Sequence, residues 1–546
     1  MVERVTDQQQ SRTLDENSLN LEIIGIEDQI VLDCAAPEIL DRLPARLSHG
    51  ILDWVEKTPD APALHSNGRQ LSYRQLGAAI DEAKALLVER GVRPGDRVML
   101  VAENGITLAC LFIALSELDG IGAVINARMA DREIDLIAAD CDPRLVICTA
   151  GDSADARAHG VRLGAEPVTT GFGEFSWTRA AACEAESVSP DPAQQVLAMI
   201  YTTGTTGAPK GVMLTHRNLS FIAFISGRLR GVQPGDRVYC VLPMSHVFGL
   251  SAVCSSVLFS GGCVHLVARF SAAATLQAMT EDSIVGFLGV PTMYALMLEI
   301  LEQRARNNQP WQAGCLRFMF SGGAPLDPDL KSRVEAAFGM PLHNGYGLTE
   351  TGPTICQTRL YAPLANCSVG YPLPCVEVKL LGKDGQIVAP GEIGELWVKG
   401  PNVMKGYFRK PELTAEVVKD GWFNTADLVF QDATGAINIA GRTKELIIRS
   451  GFNVYPPEVE AVLASHPSVS LCAVLGRKIA GDEEIIAFVQ PVEGMDIDVD
   501  ALLHFAREFL AGYKLPSRIV IRQQLPTAPS GKILKHQLTE DALRVS

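Results

Sequence analysis

The chain has 546 residues, of which 47% are hydrophobic and 20% are charged, and its formal net charge is -15. This composition is typical of a soluble globular protein with more than one domain, and the negative charge argues against nucleic acid or an anionic membrane as the main partner. The 13 cysteines stand singly, without CxxC pairs or zinc-ligand spacing, which favours reduced thiols and a cytoplasmic protein.

Residues 1–45 are predicted to form an N-terminal extension. Its first 18 residues are polar and lack the apolar segment of a secretory signal. The apolar piece LEIIGIEDQIVLD, at 21–33, predicts a β-hairpin that packs on the main body. Further along, the run ITLACLFIAL at 106–115 is too short to cross a bilayer and predicts a buried helix, so we expect no transmembrane segment.

Strand and helix patterns then alternate along the chain. Helical spacing over 70–92 is followed by the strand pattern RPGDRVMLVA at 93–102. After the buried helix come GAVINA (strand), REIDLIAADCD (helix) and RLVICTA (strand). Such alternation predicts parallel βαβ units and an α/β fold.

The pattern changes near Gly441, where we place a domain boundary. The segment SGFNVYPPEVEAVLASHP predicts one amphipathic helix with Val459, Val462 and Leu463 on its apolar face. The expected organisation is a large N-terminal domain of mainly parallel α/β sheets and a smaller, mobile α+β C-terminal domain. The boundaries are 1–45 (extension), 46–440 (N-terminal domain), 441–445 (hinge) and 446–546 (C-terminal domain).

A loop rich in glycine and threonine, YTTGTTGAPKG at 201–211, follows the apolar strand pattern VLAMIY. Its glycines allow a tight turn close to an anion, and its hydroxyls and lysine add donors and positive charge, so it predicts a polyphosphate site. It is neither a Walker A motif nor a dinucleotide-binding fingerprint, because the glycine spacing differs. The candidate phosphate-binding residues are Thr202, Thr203, Gly204, Thr205, Thr206, Gly207 and Lys210.

This loop resembles the signature of the adenylate-forming (AMP-binding) superfamily, which includes acyl-CoA synthetases, adenylation domains of peptide synthetases and beetle luciferases. Further motifs of that family follow in order: PMSHVFG, SGGAPL, NGYGLTET, GWFNTAD, GRTKEL and PSGK. The resemblance covers residues 45–546. In the style of its motifs the chain is similar to fatty-acid and 4-coumarate-type CoA ligases. The resemblance implies ATP, Mg²⁺ and coenzyme A as cofactors.

The resemblance also implies a nucleotide site. Tyr346 would stack on adenine, Thr349 would contact the α-phosphate, and Glu350 would help to hold Mg²⁺. The family usually has glycine where this chain has Ala426. The other implied ATP- and AMP-binding residues are Gly322, Gly323, Ala324 and Pro325 at the adenine-side loop, Asn344, Gly345 and Gly347 around Tyr346, and Asp427 and Arg442 at the ribose.

Catalysis and domain motion are assigned by the same resemblance. Lys532 would bridge the carboxylate and the α-phosphate, and Lys444 would be the hinge pivot. Ser450 and Gly451 would line the thiol tunnel. Lys535 stands where relatives often have arginine, and we expect it to be peripheral. The implied catalytic set is Lys532, His246, Thr349 and Glu350.

The acyl pocket is expected around the motif PMSHVFG, with His246 as a gate. An apolar wall at Phe248 and Ala252 favours a medium-chain fatty acid or a weakly substituted aromatic acid. A hydroxylated ring should then bind less well, because its hydroxyl would lack a partner. No acidic residue in 285–294 awaits an amino group, which argues against an amino acid. The candidate pocket residues are His246, Phe248, Ala252, Met293, Gly322 and Gly347.

The sequence therefore predicts an ATP-dependent acyl-CoA synthetase. It would adenylate a carboxylic acid and pass the acyl group to coenzyme A, releasing AMP and pyrophosphate. The alternative is a stand-alone acyl-AMP ligase that loads an acyl carrier protein. The expected partners are a small carboxylic acid, ATP and coenzyme A, without nucleic acid, and a homodimer is left open.

Overall fold

The computed structural model describes residues 21–203, 209–449, 452–479, 482–527 and 533–544. Its helices include all of those predicted from the sequence. They are α1 (21–32), α2 (Ile39–Arg42), α3 (Leu47–Lys57), α4 (Tyr73–Glu89), α5 (Ile106–Glu117), α6 (Asp131–Cys141), α7 (Ala154–Arg162), α8 (His216–Leu229), α9 (Ser256–Phe259), α10 (Ala272–Glu281), α11 (Pro291–Arg306), α12 (Pro328–Phe338), α13 (Pro411–Val417), α14 (Pro456–Ala464), α15 (Val499–Phe509) and α16 (Lys535–Arg544).

The strands include all those predicted before residue 202. They are β1 (Pro62–Ser66), β2 (Arg69–Ser72), β3 (Arg97–Ala102), β4 (Ile121–Asn126), β5 (Leu145–Cys148), β6 (Glu166–Thr169), β7 (Glu174–Trp177), β8 (Val196–Thr203), β9 (Pro209–Thr215), β10 (Arg237–Cys240), β11 (Cys263–Leu266), β12 (Ile284–Gly289), β13 (Phe318–Ser321), β14 (Leu342–Gly347), β15 (Thr354–Gln357), β16 (Tyr371–Pro372), β17 (Glu377–Leu381), β18 (Gly394–Lys399), β19 (Gly406–Tyr407), β20 (Val418–Lys419), β21 (Trp422–Gln431), β22 (Ile437–Arg442), β23 (Ile447–Arg449), β24 (Phe452–Val454), β25 (Val469–Ile479), β26 (Asp482–Pro491) and β27 (Arg518–Ile521).

Two large sheets organise the N-terminal part of the described chain. One has the order β16-β15-β14-β13-β12-β10-β11-β1-β2, and the other has the order β19-β9-β8-β4-β3-β5-β7-β6. Their central strands pair in parallel, whereas β9 and β15 join antiparallel. A third sheet, β17-β18-β21-β20 with β22 on β21, follows. The predicted α/β class is confirmed.

Helix α5 lies between the two large sheets and contacts β1 of one and β4 of the other. Every residue from Ile106 to Ser116 is buried, so the apolar run that resembles a membrane span is a core helix. Among the described residues, no helix combines the length and apolar character needed to span a membrane. All 13 cysteines are free thiols, as expected.

The N-terminal piece at 21–33 is helical, so the predicted hairpin is wrong. Helix α1 buries Ile24, Asp28 and Leu32, which are spaced by four residues. Asp28 forms an ion pair with the fully buried Arg359, at 2.7 and 2.9 Å, and accepts a hydrogen bond from Tyr361. Arg359 also donates to carbonyls of β15 and β16. Through this arginine, α1 stabilises the β16 edge of the large sheet that runs from β16 to β2.

The C-terminal part contains a separate sheet, β25-β26-β27, and the pair β23-β24. Helix α14 packs on β25 and buries Val459 and Leu463, while Val462 is partly buried in the same hydrophobic cluster. The apolar face predicted for this helix is therefore confirmed.

Candidate active site

The first glycine of the SGGAPL motif, Gly322, follows the carboxyl end of β13, beside β14. Ser321 of β13 pairs with Asn344 of β14, so the two motifs meet at the same edge of the sheet. A Cβ at Gly322 would lie 3.0 Å from Phe248 and 3.4 Å from the Gly345 carbonyl oxygen. A side chain here would be tightly confined, and ligands of open α/β sheets bind at such an edge.

The ribose motif lies opposite Tyr346. The Tyr346 hydroxyl donates to Asp427 Oδ2, and Arg442 Nε donates to Asp427 Oδ1 at 2.8 Å. Asp427 is only 3% exposed, and it pairs with Arg442 across β21 and β22. Burial together with the charge of Asp427 raises the pKa of Tyr346 well above its usual value, so this phenol remains a donor. The three residues therefore form one hydrogen-bonded cluster.

Ala426 stands in a bulge of β21 where glycine is the usual residue of the family. Its φ is +56°, a left-handed conformation that an L-residue adopts at a cost. The bulge turns Asp427 toward Arg442, because three residues of β21 oppose one residue of β18.

Replacing Ala426 by glycine is expected to raise the free energy of unfolding by about 0.5–1 kcal/mol, because relief of the left-handed strain exceeds the added freedom of the unfolded chain. The urea midpoint of unfolding checks this. Ala426→Val is the matched control and should lower the midpoint, since a β-branched residue tolerates positive φ less well. A lower midpoint for the glycine variant would contradict the assigned strain.

Glu350, Tyr407 and Lys210 form a second cluster. The Tyr407 hydroxyl donates to Glu350 Oε1 at 2.8 Å, and Lys210 Nζ lies 5.6 Å from the centroid of the Tyr407 ring. The main chain adds a link, since Met404 N donates to Glu350 O at 2.8 Å. A single carboxylate of this kind suits Mg²⁺, which is bound by one or two carboxylates together with substrate phosphates.

The two ends of the phosphate loop are braced by Asp140 of α6. Its carboxylate accepts from Tyr201 at 2.9 Å and from Lys410 at 2.7 Å. Lys410 also donates to the Pro209 carbonyl at 3.2 Å. In the β8–β9 hairpin, Thr202 pairs with Lys210, so both lie at the mouth of the loop.

Several predicted residues lie outside the described residues or are described only in part. The backbone of Thr203 continues β8. The predictions that fall on undescribed residues concern the tip of the loop, the thiol tunnel and the catalytic lysine, namely Gly204, Thr205, Thr206, Gly207, Ser450, Gly451 and Lys532.

The remaining residues predicted to bind the nucleotide differ in how exposed they are. Thr349 is buried in the turn that begins after β14, and Asn344 donates to the Cys367 carbonyl at 3.0 Å. Gly323 has a φ of +77°, which favours glycine. Beside it, Ala324 is half-buried and Pro325 is exposed.

The predicted acyl-pocket residues divide into three groups. His246 is exposed, and its Nδ1 contacts the Phe248 amide at 3.3 Å. Phe248 is half-buried, whereas Ala252 and Met293 belong to the hydrophobic core. At Gly347 a Cβ would lie 1.8 Å from the Pro353 carbonyl oxygen, so this glycine allows β14 and β15 to approach closely. Its assignment to the pocket floor stays a prediction.

Lys444 lies in an exposed turn whose two sides are held by different parts of the protein. On one side, Thr443 N donates to the Ala426 carbonyl at 2.9 Å. On the other side, Glu445 binds Lys535 of α16 at 2.8 Å, and Lys535 also binds Glu460 at 2.8 Å. Lys535 is therefore not peripheral: burial opposes its charge, but the two glutamates outweigh this and raise its pKa.

Sequence motifs did not reveal Tyr407, Asp140 or Lys410. Each contacts partners that are distant in sequence; Tyr407, for example, follows Glu350 by 57 positions. The one available signal was the aromatic residue in GYFRK, and it is too common to be specific.

Comparison with known proteins shows the family. The family model described as AMP-binding enzyme matches residues 51–408, and the model of the AMP-binding enzyme C-terminal domain matches 458–532. A feruloyl-CoA synthase from Amycolatopsis sp is 35% identical over 502 residues, which cover 90% of this chain and 99% of the relative.

Two solved structures show the same fold. The ATP-bound MatB from Rhodopseudomonas palustris has a TM-score of 0.80 and 30% identity, and the match covers 91% of this chain and 99% of that one. The o-succinylbenzoate CoA synthetase from Bacillus subtilis, in complex with its acyl-adenylate intermediate, has a TM-score of 0.75 and 27% identity, covering 90% and 97%. The chain therefore belongs to the AMP-binding enzyme family, and it is an AMP-forming acid–thiol ligase.

Proposed function

We propose that this ligase adenylates an aromatic carboxylic acid and transfers the acyl group to coenzyme A. The observation that carries the proposal is the position of Tyr346 in β14 and of Glu350 in the turn that follows it. Tyr346 belongs to the cluster with Asp427 and Arg442, and Glu350 belongs to the cluster with Tyr407 and Lys210. The first cluster suits a nucleoside and the second suits a polyphosphate with its cation.

In the first step, a carboxylate oxygen of the acid attacks the α-phosphorus of ATP. The bond to the bridging oxygen breaks, and pyrophosphate leaves with the negative charge. Lys210 is positioned to neutralise that charge, and Mg²⁺ held by Glu350 would supply further positive charge. In the second step, the thiol attacks the acyl carbon, the carbon–oxygen bond breaks, and AMP leaves.

The two steps need different access to the acyl carbon, and we assign the change to rotation about Lys444. Thr443 is tied to the N-terminal part through Ala426, while Glu445 is tied to the C-terminal part through Lys535. Lys444 is the residue between these two attachments, so a change in its φ and ψ can rotate one part against the other.

The choice of an aromatic acid is supported by the feruloyl and o-succinylbenzoate ligases among the relatives. Phe248, whose ring edge lies beside Gly322, would offer an aromatic contact to such an acid.

Pyrophosphate release should be measured across fatty and aromatic acids, with ATP and Mg²⁺, with and without coenzyme A. Multiple turnover only with coenzyme A supports the proposal. A stoichiometric burst that coenzyme A does not relieve would instead indicate a ligase that loads a carrier protein.

Lys532→Ala is expected to lower adenylate formation at least about 1000-fold, because it removes the cation assigned to the α-phosphate. The variant should still transfer the acyl group from a supplied acyl-adenylate to coenzyme A. Full adenylation by this variant would refute the role of Lys532.

A further inference from the structure

A buried arginine lies behind the predicted acyl pocket. Arg230, at the end of α8, is only 4% exposed, and its Nη1 donates to the carbonyl of Ala252. Its guanidinium carbon lies 5.1 Å from the ring centroid of Phe320. Ala252 lies one turn beyond Phe248, and Phe320 lies two residues before Gly322. Arg230 therefore contacts the segment that contains Phe248 and the strand that precedes Gly322.

This cation has no anionic partner in the part of the chain that the structure describes. None of the ion pairs formed there includes Arg230, and its Nε has no hydrogen-bond acceptor. Burial alone lowers the pKa of Arg230 to about 9, without an opposing carboxylate. A buried charge without a counter-charge is unfavourable, so it marks a place where a ligand can supply one.

Two further buried polar groups, one on α8 and one on β15, also lack partners among the described residues. Ser226 lies one helical turn before Arg230 on α8 and has a buried hydroxyl without a partner. Gln357 of β15 is 1% exposed, pairs with Gly345 and leaves both its amide atoms without a partner. A guanidinium, a hydroxyl and an amide are the donors that recognise a carboxylate.

We propose that the acyl pocket ends at Arg230 and accepts an acid that carries a second carboxylate at the end remote from the reacting one. The inference rests on the proposed function and narrows its substrate class to dicarboxylic acids. It also replaces the expectation of a wholly apolar pocket, which was based on the side chains of Phe248 and Ala252. The Ala252 side chain is buried in the core, and its carbonyl holds Arg230 instead.

The test compares matched pairs of acids in pyrophosphate release with ATP, Mg²⁺ and coenzyme A. The pairs are terephthalate with 4-methylbenzoate, and octanedioate with octanoate; ferulate with cinnamate tests a neutral acceptor. We expect kcat/KM for the diacid to exceed that of its partner by about 100-fold, mainly through KM. Preference for the monoacids, or for ferulate above all diacids, would overturn the proposal.

Variants of Arg230 add a second readout. In Arg230→Met the ratio of diacid to monoacid kcat/KM should fall about 100-fold, and Arg230→Lys should restore part of it. Arg217→Met, which removes a more exposed arginine of the same helix, should keep the wild-type ratio. An unchanged ratio in Arg230→Met would overturn the proposal.

Binding can be read without turnover. Diacids should raise the thermal midpoint of the wild-type enzyme more than monoacids do, and Arg230→Met should lose the difference. If no acid released pyrophosphate, the proposed function would fail, whereas the thermal shift would still decide whether Arg230 binds a carboxylate. If Arg230→Met does not fold, the comparison of acid pairs on the wild-type enzyme decides alone.

Discussion

Replacing Asp28 by asparagine is expected to lower the free energy of unfolding by about 3–5 kcal/mol, because the partner charge would be left buried and unpaired. Arg359 is fully buried and forms two hydrogen bonds with the Asp28 carboxylate, which tie α1 to β15 and β16. Burial opposes the charge of Arg359, but Asp28 outweighs it and raises the pKa of the guanidinium. The urea midpoint of unfolding and its slope measure the effect.

An exposed pair provides the control. Asp60 binds Arg74 at 3.2 Å, and both side chains are more than half exposed. Asp60→Asn should cost at most about 1 kcal/mol. The double variant Asp28→Asn with Arg359→Met should recover part of the loss, because it removes the unpaired charge. Equal losses for Asp28→Asn and Asp60→Asn would show that α1 does not stabilise the protein through this pair.

Replacing Glu350 by glutamine is expected to lower kcat/KM for ATP by about 100- to 1000-fold and to raise the Mg²⁺ concentration needed for half-maximal rate. The amide keeps the shape of the side chain but removes the charge assigned to the cation. Initial rates of pyrophosphate release, measured over a Mg²⁺ titration, give both quantities.

Tyr407→Phe is the matched control, because it removes only the hydroxyl that donates to Glu350 Oε1. Its loss should be about tenfold or less, since Glu350 would keep its charge and lose one orienting hydrogen bond. If Glu350→Gln retained the wild-type response to Mg²⁺, the carboxylate would not be the metal ligand.

The parts of the fold that sequence predicted correctly are those set by local periodicity. The βαβ units around α5 have strong patterns, and α14 has a clear apolar face. The error at α1 has a physical origin: its isoleucines lie on both faces, with Ile23, Ile26 and Ile30 exposed, and its buried face contains Asp28. The partner that makes this burial favourable is distant in sequence, so no local pattern could reveal it.

In the candidate site, too, residues within sequence motifs were predicted, whereas a residue defined only by tertiary packing was missed. The motifs predicted roles for Tyr346, Glu350 and Asp427, because their spacing is specific to the family. Arg230 was not found, because a single arginine near the end of a helix is ordinarily a surface residue. Its burial depends on how α8 packs against the segment at 248–255, which is a tertiary property.

The attachment of α1 also has a consequence for synthesis on the ribosome. Asp28 and Arg359 are separated by 331 residues. At ordinary translation rates, roughly 15 to 70 s pass between the appearance of the helix and that of its partner. During this interval α1 has no surface to pack against. The helix can therefore dock only after most of the two large sheets has been made. The first described segment of the chain is thus among the last to reach its final place.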